Sequence, residues 1–230
     1  MASILLRKLR TELEQIADRS KALEMQAYMK SEMAYHGVPL PLLRKTCKKV
    51  FADLEFKGAE NWRSQVLGVW RGARFREERY GALFLAGDRR ASEFQTPAAM
   101  KMYEEMIVTG AWWDVVDDLA IHRVGPILAE YPVPMKPKIL RWSKSQDLWK
   151  RRTSIICQIM LKDRLDLELL YACIEPSLDA KEHFLRKAIG WALRQVAWTD
   201  PEEVDRYVRR NADRLSPLSQ REALKNVHRQ

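Results

Sequence analysis

The feature that most constrains this chain is the placement of its aromatic residues on a helical rhythm. Segments of roughly 12 to 18 residues with apolar positions at i, i+3, i+4 and i+7 recur throughout. Four of them open on an aromatic: FREERYGALFLA at Phe75, WDVVDDLAIH at Trp113, WKRRTSIICQIML at Trp149 and FLRKAIGWALRQVA at Phe184. The steps between them are 38, 36 and 35 residues, the length of a paired-helix repeat. A helix pair cannot bury its apolar face alone, so neighbouring pairs stack and the stack curves. The expectation is an all-α superhelical solenoid of stacked helix pairs, with residues 1–230 as a single domain. Equivalent positions of successive repeats would line a concave basic groove. A compact non-repeat helical bundle is the alternative.

Strands are not expected. Glycine is scarce at 9 residues, and hairpin dipeptides are absent apart from Gly87-Asp88. Breaks between helices are read at GVPLP, YPVPMKP, IEPSLDA and WTDP. Asp200 followed by Pro201, with Glu203 at the capping-box position, marks a helix start. The N-terminal stretch reads as an amphipathic helix with Ile4, Leu5, Leu9, Leu13 and Ile16 on one face. Its apolar run is too short for a secretory signal, and no run of about 18 apolar residues suggests a membrane span. A cytoplasmic location is expected, on the nucleoid when bound to DNA.

Forty Lys+Arg against 31 Asp+Glu give a net charge of +9, which makes a polyanion the first partner to consider. Cys47, Cys157 and Cys173 are scattered and lack the C-x-x-C spacing of zinc or redox sites. His36, His122, His183 and His228 show no H-x-x-x-H spacing. No phosphate-cradling glycine loop or G-x-S-x-G elbow is present, so neither a metal nor another cofactor is expected.

In a helix Trp113 and Asp117, four residues apart, lie one above the other. One repeat later WKRRTS offers Lys150, Arg151 and Arg152; two repeats later KAIGWALR offers Lys187, Trp191 and Arg194. Stacking in register would gather Trp113, Asp117, Arg152 and Trp191 on one surface. Arginines hold phosphates through paired donors, tryptophans offer flat faces to a sugar or base, and a carboxylate meets whatever positive charge arises between them. Cleavage of an N-glycosidic bond passes through an oxocarbenium-like state that an anion stabilises. A cationic alkylpurine leaves as a neutral base, so one carboxylate suffices, and no second acid stands out. The bland alternatives are concrete. Asp117 could pair with a neighbouring arginine as a structural salt bridge; Trp62, Trp70 and Trp142 read as packing groups; and adjacent Trp112 and Trp113 cannot both face the groove. Cations at the start of the WKRRTS helix oppose its dipole and need a local reason.

The chain resembles the DNA alkylation repair family of HEAT-like-repeat DNA glycosylases, the AlkD type. The likeness runs through AYMKSEM, GVPLPLLRK, IVTGAWWDVVDDLA, LWKRRTSIICQ, HFLRKAIGWALRQVAWTDPEEV and PLSQREALK. The resemblance implies Asp117 as the carboxylate that stabilises the sugar cation and orients water. It implies Trp113 and Trp191 as the aromatics on the damaged nucleotide, Arg152 as a cation on the DNA backbone, and Tyr28 at the same cleft. Arg44 is kept as a DNA contact, while Pro39 and Leu40 stand where relatives often carry polar residues. Lys150, Arg151, Lys187 and Arg194 complete the expected DNA-binding set. The implied activity is monofunctional hydrolysis of N3- and N7-alkylpurines such as 3-methyladenine and 7-methylguanine, bulky adducts included, in double-stranded DNA without enclosing the base. The chain is expected to act as a monomer. The competing expectation is a non-catalytic helical-repeat protein that binds branched or damaged DNA or an acidic protein.

Overall fold

The computed structural model describes residues 3–227; His228 lies outside them. Among the described residues there are fourteen α-helices and no strand, only a lone parallel bridge between Ala34 and Phe75. This is the all-helical repeat fold expected from the sequence. The helices fall into two compact units, Met1–Gln95 and Thr96–Gln230.

The first unit contains α1 (Ile4–Glu14), α2 (Arg19–Met29), α3 (Leu40–Val50), α4 (Ala59–Gly72) and α5 (Arg76–Ala86). Ser3 caps α1 by accepting the Leu6 N–H, and the helix buries Leu5, Leu6, Leu9 and Leu13 against α3, α4 and α5. The expected face is therefore shifted: Ile4 is exposed and Ile16 follows the helix end, half-buried, while Leu6 takes the inward position. Trp62 and Trp70 are buried, as their reading as packing groups required.

Two adjacent carboxylates organise the loop that precedes α3. Glu77 accepts the backbone N–H groups of His36, Gly37 and Val38 at 2.9, 2.9 and 3.1 Å. Gly37 has φ +83, and a Cβ there would lie 2.0 Å from the Asp18 carbonyl oxygen, so only glycine fits. Glu78 takes two N–H bonds from Arg10 at 2.6 and 2.9 Å and the Arg74 N–H at 2.7 Å, and it meets the His36 ring at 3.4 Å. Burial raises the Glu78 carboxyl, but these donors outweigh it and leave its pKa at about 2.

The second unit contains α6 (Met100–Gly110), α7 (Trp113–Leu119), α8 (Gly125–Glu130), α9 (Pro132–Ser143), α10 (Leu148–Ile156), α11 (Leu167–Ile174), α12 (His183–Val196), α13 (Pro201–Arg210) and α14 (Pro217–Ala223). Within it α10 packs against both α7 and α12, and α12 packs against α14. A second row is made by α9 and α11, which are in contact, and by α13, whose Tyr207 stacks on Tyr171 of α11 at 4.2 Å. This two-row layering is the repeat seen in the sequence steps. Trp142 is buried in α9, and Asp200 caps α13 through the Glu203 N–H with Pro201 in the first turn. The capping box is half used, because the Glu203 carboxylate turns instead to Tyr171 and Arg206.

The break expected at YPVPMKP narrows to Tyr131, which is non-helical between α8 and α9, and the stretch from Pro132 on is helical. Residues 132–137 form the first half of α9, since Pro132 and Pro134 sit where helical N–H groups have no intrahelical acceptor. Only Pro137 removes a bond, and the carbonyl it leaves, that of Val133, belongs to an exposed residue.

Between α7 and α8 the chain makes a π-helical turn, Ala120–Val124, closed by the Gly125 N–H on the Ala120 carbonyl. Pro126 cannot donate to the His122 carbonyl, which accepts from the Arg123 guanidinium at 3.0 Å instead. A Cβ at Gly125 would lie 2.0 Å from the Cys157 carbonyl oxygen, so the turn is pressed against the end of α10.

Because the folded pKa of Glu78 lies below the ordinary glutamate value of about 4.3, its contribution to stability is full above that value. It is lost as pH falls towards about 2. Glu78→Gln is expected to lower the thermal midpoint clearly at neutral pH and far less at strongly acid pH. Equal losses at both would show that shape rather than charge is responsible.

Candidate active site

The segment that opens α7 is set by a strained cap. Ala111, with φ +40, ends α6 in the left-handed region, a conformation that costs a non-glycine residue about 1 kcal/mol or more. The chain then enters α7 with Trp112 as the residue before the first turn. Trp112 packs on Trp149 and Phe184 at 6.2 and 5.4 Å, and those two rings meet at 5.1 Å. Trp112, not the helix-opening Trp113, is therefore the indole that joins the Trp149–Phe184 stack. Trp113 is released from packing and is 37% exposed.

Asp147 caps α10 by accepting the Trp149 and Lys150 N–H groups. The three cations that follow each have a carboxylate: Lys150 meets Glu104 at 2.5 Å, Arg151 meets Glu182 at 2.5 Å and Arg152 meets Asp117 at 2.7 Å. These partners are the local reason for positive charge at a helix start.

The Asp117–Arg152 pair is bidentate. Arg152 Nε donates to Asp117 Oδ1 and Nη2 to Oδ2, both at 2.7 Å, while Nη1 donates to the Phe184 carbonyl at 2.6 Å. The side chains are 15% exposed for Asp117 and 6% for Arg152. Burial pushes the Asp117 carboxyl above its ordinary value, an effect that the Arg152 hydrogen bonds and charge oppose and that nearby Asp114 reinforces. The structural pairing raised as the alternative for Asp117 is realised, yet the carboxylate still reaches open space.

That space is a cavity of about 540 Å³ lined by Trp113, Asp117, Arg152, Trp191 and, around them, Lys187 and Arg194. Six of the residues expected at the site are therefore gathered in one place within the second unit. Lys150 and Arg151 are not on its lining and are held by Glu104 and Glu182. Tyr28 and Arg44 belong to the first unit, where Tyr28 is 80% exposed on α2 and Arg44 lies 4.5 Å over the Phe84 ring.

The cavity also takes in His183, Phe184, Glu222 and Lys225, none of which the sequence analysis placed at the site. Glu222 puts a second carboxylate on the lining, and it is paired with Arg194 at 2.9 Å and Lys225 at 2.6 Å. Its sequence signal is local: Ser216 and Pro217 open a helix, and Glu222 and Lys225 stand three apart.

The model of the family described as DNA alkylation repair enzyme matches residues 9–227. A solved structure described as a predicted DNA alkylation repair enzyme from Enterococcus faecalis is 27% identical, with a TM-score of 0.83 over 93% of this chain and 98% of that one. No curated protein sequence matches the chain. None of the described helices is long and apolar enough to cross a membrane.

Removing the Asp117 side chain strands a nearly buried guanidinium. Asp117→Ala is expected to cost about 3 kcal/mol in urea unfolding. Asp117→Asn, which keeps an acceptor for Arg152, should cost less, and equal costs would assign the whole effect to the lost charge.

Proposed function

The chain belongs to the DNA alkylation repair enzyme family, and on that premise we propose that it is a monofunctional glycosylase that hydrolyses the N-glycosidic bond of cationic N3- and N7-alkylpurines in duplex DNA. The expected substrates are 3-methyladenine, 7-methylguanine and bulkier adducts. The observation that carries the proposal is the Asp117 carboxylate, oriented by Arg152, opening into one cavity with Trp113 and Trp191. In the proposed reaction the damaged nucleotide's sugar lies against the two indoles. As the neutral base departs, positive charge grows on the sugar and the fixed anion stabilises it. Arg152 uses one acceptor position on each Asp117 oxygen, which leaves others to hold the attacking water. The lesion supplies its own leaving-group activation, so no general acid is required.

Arg152 was expected on the DNA backbone. Three of its five N–H groups are engaged within the protein, so we assign it to orienting Asp117. In the proposed complex Lys187 and Arg194 are the backbone contacts nearest the lesion, while Lys150, Arg151, Tyr28 and Arg44 serve the remaining footprint. Residues 1–230 would act as one domain and one monomer, in the cytoplasm and on the nucleoid when bound to DNA.

A second function is favoured by one observation: Asp117 and Arg152 neutralise each other, as they would in a structural brace of a non-catalytic DNA- or protein-binding repeat. Incubation with methylated duplex DNA separates the two. Free 7-methylguanine in the supernatant supports the glycosylase, and its absence supports the binder.

Asp117→Asn should lower base release by about a hundred- to a thousandfold while DNA affinity stays close to that of the unaltered protein. Retained activity would end the proposed mechanism. Arg152→Ala should lower base release with an unchanged salt dependence of binding, whereas a log–log slope smaller by about 1 would return Arg152 to the phosphate backbone. The reaction needs ionised Asp117, whose pKa is raised by burial. Single-turnover rates should therefore fall, as pH is lowered, at a pH above the ordinary aspartate value of about 3.9.

A further inference from the structure

The cavity wall formed by α12 and α14 carries a second charge cluster, of which the proposed chemistry uses Lys187 and Arg194 and leaves Glu222 and Lys225 without a task. Glu222 joins Arg194 and Lys225, and exposed Lys187 lies close enough to help hold the Glu222 carboxyl below its ordinary value, where Lys225 is the main cause. The packing that places this cluster is specific. A Cβ at Gly190 would lie 2.5 Å from the Glu222 Cβ and 2.8 Å from the Ser219 carbonyl oxygen, so α14 rests directly on the α12 backbone. Ser219 Oγ donates to the Arg186 carbonyl at 2.9 Å and Asn226 Nδ2 to the Arg194 carbonyl at 3.4 Å, which fixes the register.

The balance of charge identifies the ligand class. Asp117 and Arg152 cancel, leaving the three cations Lys187, Arg194 and Lys225 against Glu222 alone on the lining shared with Trp191. Two positive charges remain unmatched. The Lys225 side chain is about half exposed, so its ammonium keeps donors free for a ligand. One carboxylate that bonds two of the cations limits where their remaining donors point, and pre-organised donors lose less freedom when they take an anion.

We propose that Lys225 joins the backbone contacts Lys187 and Arg194 in a phosphate subsite beside Trp191, with Glu222 as the positioning residue that holds Arg194 and Lys225 towards the cavity. The ligand is a phosphodiester of the DNA backbone adjoining the sugar that Trp191 contacts. That identity rests on the glycosylase proposal, whereas the subsite is measurable on undamaged DNA.

The test is the salt dependence of binding of the full chain to an undamaged duplex, read by fluorescence anisotropy, with melting curves confirming that each variant is folded. Lys225→Ala is expected to weaken binding and to reduce the log–log slope by about 1; an unchanged slope overturns the subsite. Glu222→Gln gives a sign that separates mechanisms. Loss of a negative charge beside a polyanion by itself tightens binding, whereas loss of a positioning contact weakens it. Several-fold weaker binding, restored in Glu222→Asp, supports the assignment; tighter binding overturns it and makes Glu222 a competitor for the cations. Inorganic phosphate at constant ionic strength is expected not to displace the duplex. Saturable displacement that disappears in Lys225→Ala would assign the subsite to free phosphate and overturn the DNA ligand. If the unaltered protein releases no 7-methylguanine, the glycosylase proposal fails while these binding measurements still decide the subsite.

Discussion

Two parallel hydrogen bonds between a carboxylate and a guanidinium, Asp117 on α7 and Arg152 on α10, are the contact on which the cavity depends. Taking both charges out of water costs several kcal/mol per ion in effective terms. Planar groups meeting edge to edge offset that cost, helped by the Phe184 carbonyl, which occupies a third N–H. Lysine would supply the charge without the fork and would leave the carboxylate free to rotate. Since Phe184 lies next to the start of α12, the same guanidinium touches three successive helices of one row, α7, α10 and α12. A single side chain thereby ties the repeat stacking to the direction in which Asp117 points.

Much of this was legible in the sequence because one geometric repeat governs both packing and site. Asp117 and Arg152 are 35 residues apart, the same step that separates Trp149 from Phe184. A chain that stacks with that period brings such a pair together. The helix openings at Phe75, Trp149 and Phe184, the Asp200 cap and the buried Trp62, Trp70 and Trp142 followed from local rules that tertiary packing did not overturn. Trp112 and Trp113 were ambiguous because adjacent indoles offer the same chemistry. The structure puts Trp112 in the aromatic stack, after a left-handed Ala111 at the end of α6. Glu222 was missed because it arrives from outside the aromatic repeats, on a seven-residue helix whose place is set by the absence of a side chain at Gly190.

The distribution of charge shows why a net count is a poor guide to where an anion binds. Lys150, Arg151 and Arg152 form the densest cationic run in the second unit's helices, yet each has a carboxylate partner. Their fields are therefore largely local. The sparser trio of Lys187, Arg194 and Lys225 is the less compensated group, although no two of its members are neighbours in sequence. Positive charge on a basic protein is informative only after the ion pairs have been subtracted.

The π-helical turn after Asp117 has a bearing on how relatives should be aligned. A π turn accommodates one residue more than an α turn over nearly the same rise, and Ala120–Val124 is closed by a bond spanning five residues. A homologue with one residue fewer here could run α7 straight into α8, keep every contact upstream and rotate the downstream helix by about 100°. A single gap at this point in a pairwise alignment would therefore mark a change of helical phase, and residues beyond it should be matched by the face they present rather than by their count from Asp117.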